Sequence, residues 1–289
     1  MIVSTTLTGN SEEHIAGALE SLVYWVDACI VIDTGVTDRT LEVAREAAGD
    51  KLIVRQFPWC DDFGAARNFA LQTAEEAGAD WAWTLDTDER MLFKAAWSNK
   101  ELETNGDLWV LFTDYVDNSY AKERIIRLNR GVHWQGVTHE CVATLPSDEH
   151  RALTVNLSFS ELPKTPRQMF LKNRRDAQIL TEYVKVDPDN PRWWVYLGMT
   201  LQLLERYEEA LPPLREAMRL AGVDNEGQLA VYRLLACYGK LRRWGDALRL
   251  CDIALLLCPG DADFCRYLDA AKRTLCKELA REAAIPTQP

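Results

Sequence analysis

Asp86 and Asp88 stand two residues apart, just after the apolar run Trp81-Ala82-Trp83-Thr84-Leu85. In an extended segment such a pair projects to one side. Two hard oxygen donors on one side suit Mg²⁺ or Mn²⁺, whose shell water and substrate phosphates usually complete. That combination neutralises the charge that gathers on a departing diphosphate. The plainer reading of the pair is a solvated acidic turn. Asp33 follows a second apolar run, Ala28-Cys29-Ile30-Val31-Ile32. Its carboxylate can cap its own turn.

These aspartates need elements that bring them together. Met1 to Leu7 is apolar and β-rich. Asn10-Ser11-Glu12-Glu13 can cap a helix whose Ile15, Leu19, Leu22 and Val26 share one face. The run 28–32 reads as a buried parallel strand. A helix from Arg39 to Ala48 follows, capped by Thr37 or Asp38 and stopped by Gly49. Residues 51–57 form a third strand, 63–77 a third helix and 81–85 a fourth strand. This βαβαβαβ order predicts an α/β domain with a mostly parallel sheet and right-handed crossovers. Ligands of such sheets sit at the carboxyl ends of the strands. Asp33 and Asp86 are then expected to face one crevice.

The chain has 289 residues, 47% of them hydrophobic and 27% charged, with a net charge of −11. That length and balance predict two folded domains rather than a disordered chain. No apolar run approaches the ~18 residues of a membrane helix. The strand-like opening leaves no room for a leader peptide, and the eight cysteines form no CxxC pair. Both features predict a cytoplasmic protein with reduced thiols. Residues 1–165 hold 14 Lys and Arg against 27 Asp and Glu, whereas residues 166–289 hold 19 against 17. Composition changes at the same place, from Thr, Val and Asp to Leu, Ala and Arg. Leu162-Pro163-Lys164-Thr165-Pro166 marks the expected boundary, with domains at 1–165 and 166–289. The acidic first half argues against broad docking on nucleic acid.

Neither G-x-G-x-x-G after the first strand nor a Walker loop occurs, which disfavours dehydrogenases and P-loop enzymes. Five further signatures stand in order. They are Asn10-Ser11-Glu12-Glu13; Asp33-Thr34-Gly35-Val36-Thr37-Asp38-Arg39-Thr40; Trp59-Cys60-Asp61-Asp62-Phe63-Gly64-Ala65-Ala66-Arg67-Asn68; Leu85-Asp86-Thr87-Asp88-Glu89; and Trp134-Gln135-Gly136-Val137-Thr138-His139-Glu140. Together they resemble glycosyltransferase family 2, of the GT-A nucleotide-diphospho-sugar transferase fold, in the subgroup that carries C-terminal tetratricopeptide-like (TPR) helical repeats. The chain departs from that pattern at Asn10 and Ser11, where Lys and Asn are usual, and at Val36, where Ser is usual.

The resemblance implies roles residue by residue. Thr6, Thr8 and Asp33 would hold the nucleotide base, and Arg67 the base or diphosphate. Asp86 would bind the ribose or the metal's water, and Asp88 the Mn²⁺ or Mg²⁺ directly. His139 would be a further metal or diphosphate ligand; imidazole suits Mn²⁺ better than Mg²⁺. Inverting transfer needs a carboxylate base near the acceptor. Glu140 is the first candidate, and Asp114, after the apolar strand Leu108 to Thr113, the second. Asp117, Arg124 and Arg127 are candidates to line the acceptor side, against the alternative of a solvated strand edge for Arg124, Arg127 and Arg130.

The second half is expected to be all-α. Trp194, Leu197-Gly198, Tyr207, Ala210, Leu214 and Ala217 fit the TPR pattern. Leu234, Tyr238, Trp244, Ala247, Cys251, Ala254 and Pro259 repeat it. Residues 172–188 resemble the second helix of a preceding unit, and 262–282 a capping helix. Cys251, Cys258 and Cys265, seven apart, read as small core residues. Arg233, Lys240, Arg242, Arg243 and Arg249 form a basic cluster that is either a solvated face or a dock for an acidic acceptor.

The reading is a metal-dependent, inverting glycosyltransferase that uses a nucleotide-sugar, by resemblance a UDP-sugar. The acceptor stays open between a protein or peptide, a saccharide and a hydroxylated DNA base. The repeats would present the acceptor or form a homodimer. The alternatives are an inactive transferase-like scaffold acting through its repeats and a nucleotidyltransferase.

Overall fold

In the computed structural model the strands Ala28–Asp33 and Trp81–Thr84 are buried along their whole length, and Ile2–Thr8 along most of it, because the sheet is covered on both faces. Residues 1–104, 108–113, 121–143, 151–222, 224–258 and 260–284 are described. The chain divides into two compact units, Met1–Pro163 and Lys164–Pro289.

The first unit opens with β1 (Ile2–Thr8), α1 (Ile15–Leu22), β2 (Ala28–Asp33), α2 (Thr40–Ala48), β3 (Leu52–Gln56), α3 (Phe63–Glu76) and β4 (Trp81–Thr84). There follow β5 (Glu89–Phe93), α4 (Glu101–Thr104), β6 (Leu108–Thr113), β7 (Ala121–Arg127), β8 (His133–Gln135), β9 (Cys141–Ala143) and β10 (Arg151–Glu161). The main sheet runs β3-β2-β1-β4-β7-β6-β10-β5. Its first four strands are parallel. β7 is antiparallel to both β4 and β6, so the sheet is mixed. β8 and β9 pair as a separate ribbon.

Alternation along β2 sends Cys29 and Val31 into one core and Ala28, Ile30 and Ile32 into the other. The first core holds Ile15, Leu19 and Leu22 of α1, with Trp83 and Leu85. The second holds Ala70, Leu71 and Ala74 of α3. β1, β2 and β4 end on the same edge because they run in parallel. β7 enters beside that edge from the opposite direction, with Ile125 opposite Trp83. That register sets Arg124 at the level where β4 gives way to Leu85 and Asp86.

Helix starts differ locally from the spacing-based expectation. Asn10 does not cap α1; His14 takes that place without a side-chain bond. The Asn10 amide instead pairs with Thr37, accepting from its N–H at 2.8 Å and donating to its Oγ1 at 2.9 Å. Asp38 Oδ1 accepts from the Thr40 N–H and so serves the start of α2.

The second unit contains α5 (Pro166–Val186), α6 (Pro191–Leu203), α7 (Tyr207–Ala221), α8 (Asn225–Lys240), α9 (Trp244–Leu257) and α10 (Ala262–Ala283). Successive helices pack on one another. α5 begins with a capping box between Thr165 and Gln168 and with Pro166 in its first turn. Leu197, Ala210, Leu214, Leu234, Tyr238, Ala247, Cys251 and Ala254 share one core. Cys258 is buried there and Cys265 is half-buried. Val223 and Pro259 lie outside the described residues. The basic cluster is largely neutralised: Arg243 pairs with Asp246 and Glu208, Arg249 with Asp246, and Arg242 with Glu282.

Gly198 marks the tightest approach between α6 and α7. A Cβ there would lie 2.4 Å from Leu214 Cγ, which is fully buried. Gly198→Ala is expected to destabilise the helical unit by about 1–3 kcal/mol through overpacking, read as a lowered midpoint in thermal unfolding. An unchanged midpoint would mean that Leu214 repacks freely.

Candidate active site

The third sequence signature folds into a device that ties α3 to the 134–140 loop. Asp62 caps the helix, its Oδ1 accepting from the Ala65 N–H at 2.8 Å. The first two orphan N–H groups of the helix go to the loop: Phe63 N donates to Val137 O and Gly64 N to Gly136 O. The approach is so close that a Cβ on Gly64 would sit 2.5 Å from Gly136 O. One turn later the Asn68 amide brackets Trp134, accepting from its N–H at 2.7 Å and donating to its carbonyl at 2.9 Å. Asp61 adopts a left-handed backbone, and its carboxylate accepts from Trp59 Nε1.

Arg67 sits between those two anchor points, and its side chain is only 7% exposed. Its Nη2 donates to Asp86 Oδ1 at 2.8 Å and its Nε to Glu140 Oε1 at 2.6 Å. The guanidinium stands 5.0 Å over the Trp134 ring. Its Nη1 is buried without a hydrogen-bond partner. A buried, unpaired guanidinium N–H is costly unless something anionic meets it. Burial alone would weaken the charge on Arg67, but Asp86 and Glu140 outweigh it and hold the guanidinium firmly protonated. Burial likewise opposes ionisation of Asp86, yet Arg67 and Arg124 together hold its carboxyl well below the usual carboxylate range.

Arg124 is not a solvated edge residue. It is 2% exposed, ion-paired with Glu89 and 3.7 Å from Asp86 Oδ2. Arg127 stacks over Trp81, and Arg130 is exposed. Glu89 is buried, its Oε2 accepting from the Asp86 N–H at 3.0 Å. Glu89 was visible in the sequence only as the end of a signature, and nothing along the chain links it to Arg124. The pairing arises because β7 runs antiparallel beside β4.

The other expected site residues are placed as follows. Thr6 is buried, with a hydroxyl that has no partner. Thr8 donates its hydroxyl to Gly9 O, and its carbonyl accepts from Thr34 N and Oγ1. Asp33 caps its own turn: Oδ1 accepts from the Gly35 and Val36 N–H groups at 2.9 and 2.7 Å. The strand-end loops are clasped by Asn10 with Thr37, Ser11 N with Thr40 Oγ1, and Glu12 with the Arg39 N–H. Ser11 Oγ also lies 3.4 Å from Thr87 Oγ1. Asp88 is half-buried, and its carbonyl accepts from Leu162 N at 2.7 Å. His139 is half-buried with φ of 52°, a conformation that β-carbon residues adopt at a cost. Asp114 and Asp117 lie outside the described residues.

Among the described residues no three His, Cys, Asp or Glu side chains form a metal cage. A cation shared with a diphosphate needs fewer protein ligands, often one or two carboxylates. Asp88 fits that smaller role by its chemistry and place. Asp86 fits it less well, because one oxygen is taken by Arg67 and the other faces Arg124.

Residues 6–97 match the family model for glycosyl transferase family 2. The chain is 26% identical over 221 residues to the SPbeta prophage-derived glycosyltransferase SunS of Bacillus subtilis, covering 72% of this chain and 51% of that protein. It is 34% identical over 137 residues to a TPR repeat-containing protein of Synechococcus elongatus, covering 45% of this chain and 32% of that one. The chain thus spans about half or less of the length of these relatives. Among solved structures, the TPR2B domain of yeast Sti1 aligns with 39% of the chain at 17% identity and a TM-score of 0.33.

Two outcomes are expected from the ion pairs. Arg67→Ala leaves Asp86 and Glu140 without their shared cation and should cost about 3–5 kcal/mol in denaturant unfolding. Asp86→Asn should destabilise the protein at neutral pH. Asp86 has its carboxyl depressed in the fold, so its contribution is present above the unfolded carboxylate range and fades as pH falls through its folded value. The gap between wild type and Asp86→Asn should therefore narrow below about pH 4. A gap independent of pH would contradict the ion-pair account.

Proposed function

We propose that the first unit transfers a sugar from a nucleotide-sugar, a UDP-sugar, to an acceptor with inversion at C1. Glycosyl transfer is supported by the family 2 match and by likeness to a glycosyltransferase. The single observation that carries the reading is Arg67: a buried cation whose Nη1 has no hydrogen-bond partner, held at the strand ends beside the D-x-D pair.

Thr6, Thr8 and Asp33 would hold the base at the ends of β1 and β2. The Thr6 hydroxyl has no partner of its own, and Asp33 keeps one oxygen outside its turn bonds. Arg67 Nη1 would meet the diphosphate. A divalent cation, Mn²⁺ or Mg²⁺, would supply Lewis-acid neutralisation there, held by Asp88 and His139, with Asp86 committed to Arg67 and Arg124. As the acceptor atom bonds to C1, the bond from C1 to the diphosphate oxygen breaks and UDP departs. The acceptor proton passes to Glu140 or Asp114. Glu140 Oε1 already accepts from Arg67, so its second oxygen would take the proton.

The helical unit would present the acceptor or pair two copies; the candidate acceptors are a protein or peptide, a saccharide and a hydroxylated DNA base. Eight cysteines, all free, agree with a reducing cytoplasmic setting. Among the described residues no helix is long and apolar enough to cross a membrane.

A thermal-shift series with UDP-, GDP- and dTDP-sugars and Mn²⁺ tests the donor site. A donor at 100 times its Kd stabilises by about 2.7 kcal/mol, a shift of several degrees. Asp88→Ala should abolish the Mn²⁺-dependent part of the shift and the slow hydrolysis of the UDP-sugar. If no nucleotide moves the wild-type midpoint, the donor-site assignment is wrong. Release of pyrophosphate instead of a nucleoside diphosphate would point to nucleotidyl transfer.

A further inference from the structure

Glu89 is a carboxylate 1% exposed, and burial pushes its pKa up against the pull of Arg124. Both of its oxygens are engaged. Oε2 accepts from the Asp86 backbone N–H at 3.0 Å, and Oε1 accepts from Arg124 Nη2 and, at 3.4 Å, from Lys122 Nζ. The same Arg124 nitrogen lies 3.7 Å from Asp86 Oδ2. Phe159 roofs the arrangement, with Arg124 Cζ 4.8 Å and Lys122 Nζ 5.3 Å from its ring centre. Glu89 thus grips Asp86 twice, at its backbone directly and at its carboxylate through Arg124.

Stability alone is a weak account of such a cluster. A buried ion pair is often replaceable by apolar residues of similar volume at no loss. What an ion pair supplies and an apolar pair cannot is direction: Arg124 faces Asp86 Oδ2 while Oδ1 points to Arg67. The orientation of Arg67 then depends on where that carboxylate stands, because Asp86 fixes one arm of its fork and Glu140 the other.

We propose that Glu89 and Arg124 are positioning residues of the donor site, fixing Asp86 and through it the guanidinium that receives the diphosphate. The inference rests on the donor-site reading above. Neither residue touches the reacting atoms. Their effect is expected on donor affinity, of the size found when groups that orient a ligand-binding shell are removed.

The test uses the full chain, with UDP and Mn²⁺ as the probe. Two variants are made: Glu89→Leu with Arg124→Met, which removes the pair without leaving a lone buried charge, and Arg124→Lys, which keeps the charge but loses the fork. Calorimetric titration gives the UDP Kd, and thermal unfolding gives the midpoint. Both variants should fold cooperatively and bind UDP about 10–100-fold more weakly than wild type. A folded variant that binds UDP as wild type does would overturn the proposal. So would failure of both variants to fold at low temperature, since the pair would then be structural. If the double variant alone fails to fold, Arg124→Lys decides. Wild type that binds no nucleotide would instead refute the donor site itself.

Discussion

A guanidinium out of contact with water must be matched by negative charge, and at Arg67 that requirement organises the whole candidate site. Charges alternate from there in both directions: Glu140, Arg67, Asp86, Arg124, Glu89, Lys122, Glu161. Each carboxylate inside the series faces a cation on either side. Removing Arg67 or Arg124 alone takes a cation from two carboxylates at once, in a setting where unpaired charge is costly. Among the described residues of this series, Arg67 Nη1 and Arg124 Nε are buried without a hydrogen-bond partner.

Topology delivers this series from distant parts of the chain. The parallel strands β1, β2 and β4 bring Thr6, Asp33 and Asp86 to one edge, as chain connectivity of this kind requires. The antiparallel β7 brings Lys122 and Arg124 to that edge from the other direction. The 134–140 loop is held against α3 by backbone bonds to Gly136 and Val137, which sets Glu140 beside Arg67. The close approach at Gly64 makes that loop position a matter of backbone fit rather than side-chain adjustment.

Local periodicity made the alternating elements legible, together with the helix start served by Asp38 and the apolar faces of α1, β2 and the helical unit. Asp86 was legible as a candidate from its place after an apolar strand run, two residues before Asp88, and Arg67 through the resemblance carried by the third signature. The partners were not. Arg124 read equally as a solvated edge, since nothing local announces that Glu89, 35 residues earlier, closes over it. Asn10 stood where a cap would stand, yet its amide reaches Thr37 across the neighbouring loop, a pairing set by the sheet rather than by the helix. The basic cluster of the helical unit read as a solvated face or a dock for an acidic acceptor; Asp246 nearby and Glu208 and Glu282 from other helices pair with it, and the latter two were not legible from spacing. Long-range pairing is what single-chain spacing does not encode.

Arg67, gripped by Asp86 and Glu140, is proposed to receive the diphosphate of a nucleotide donor. A crystal structure of the chain with UDP and Mn²⁺ measures this directly. A diphosphate oxygen within about 3 Å of Arg67 Nη1, with both carboxylate pairs intact, is the predicted result. A nucleotide bound elsewhere, or an Arg67 swung out of its ion pairs, would contradict it.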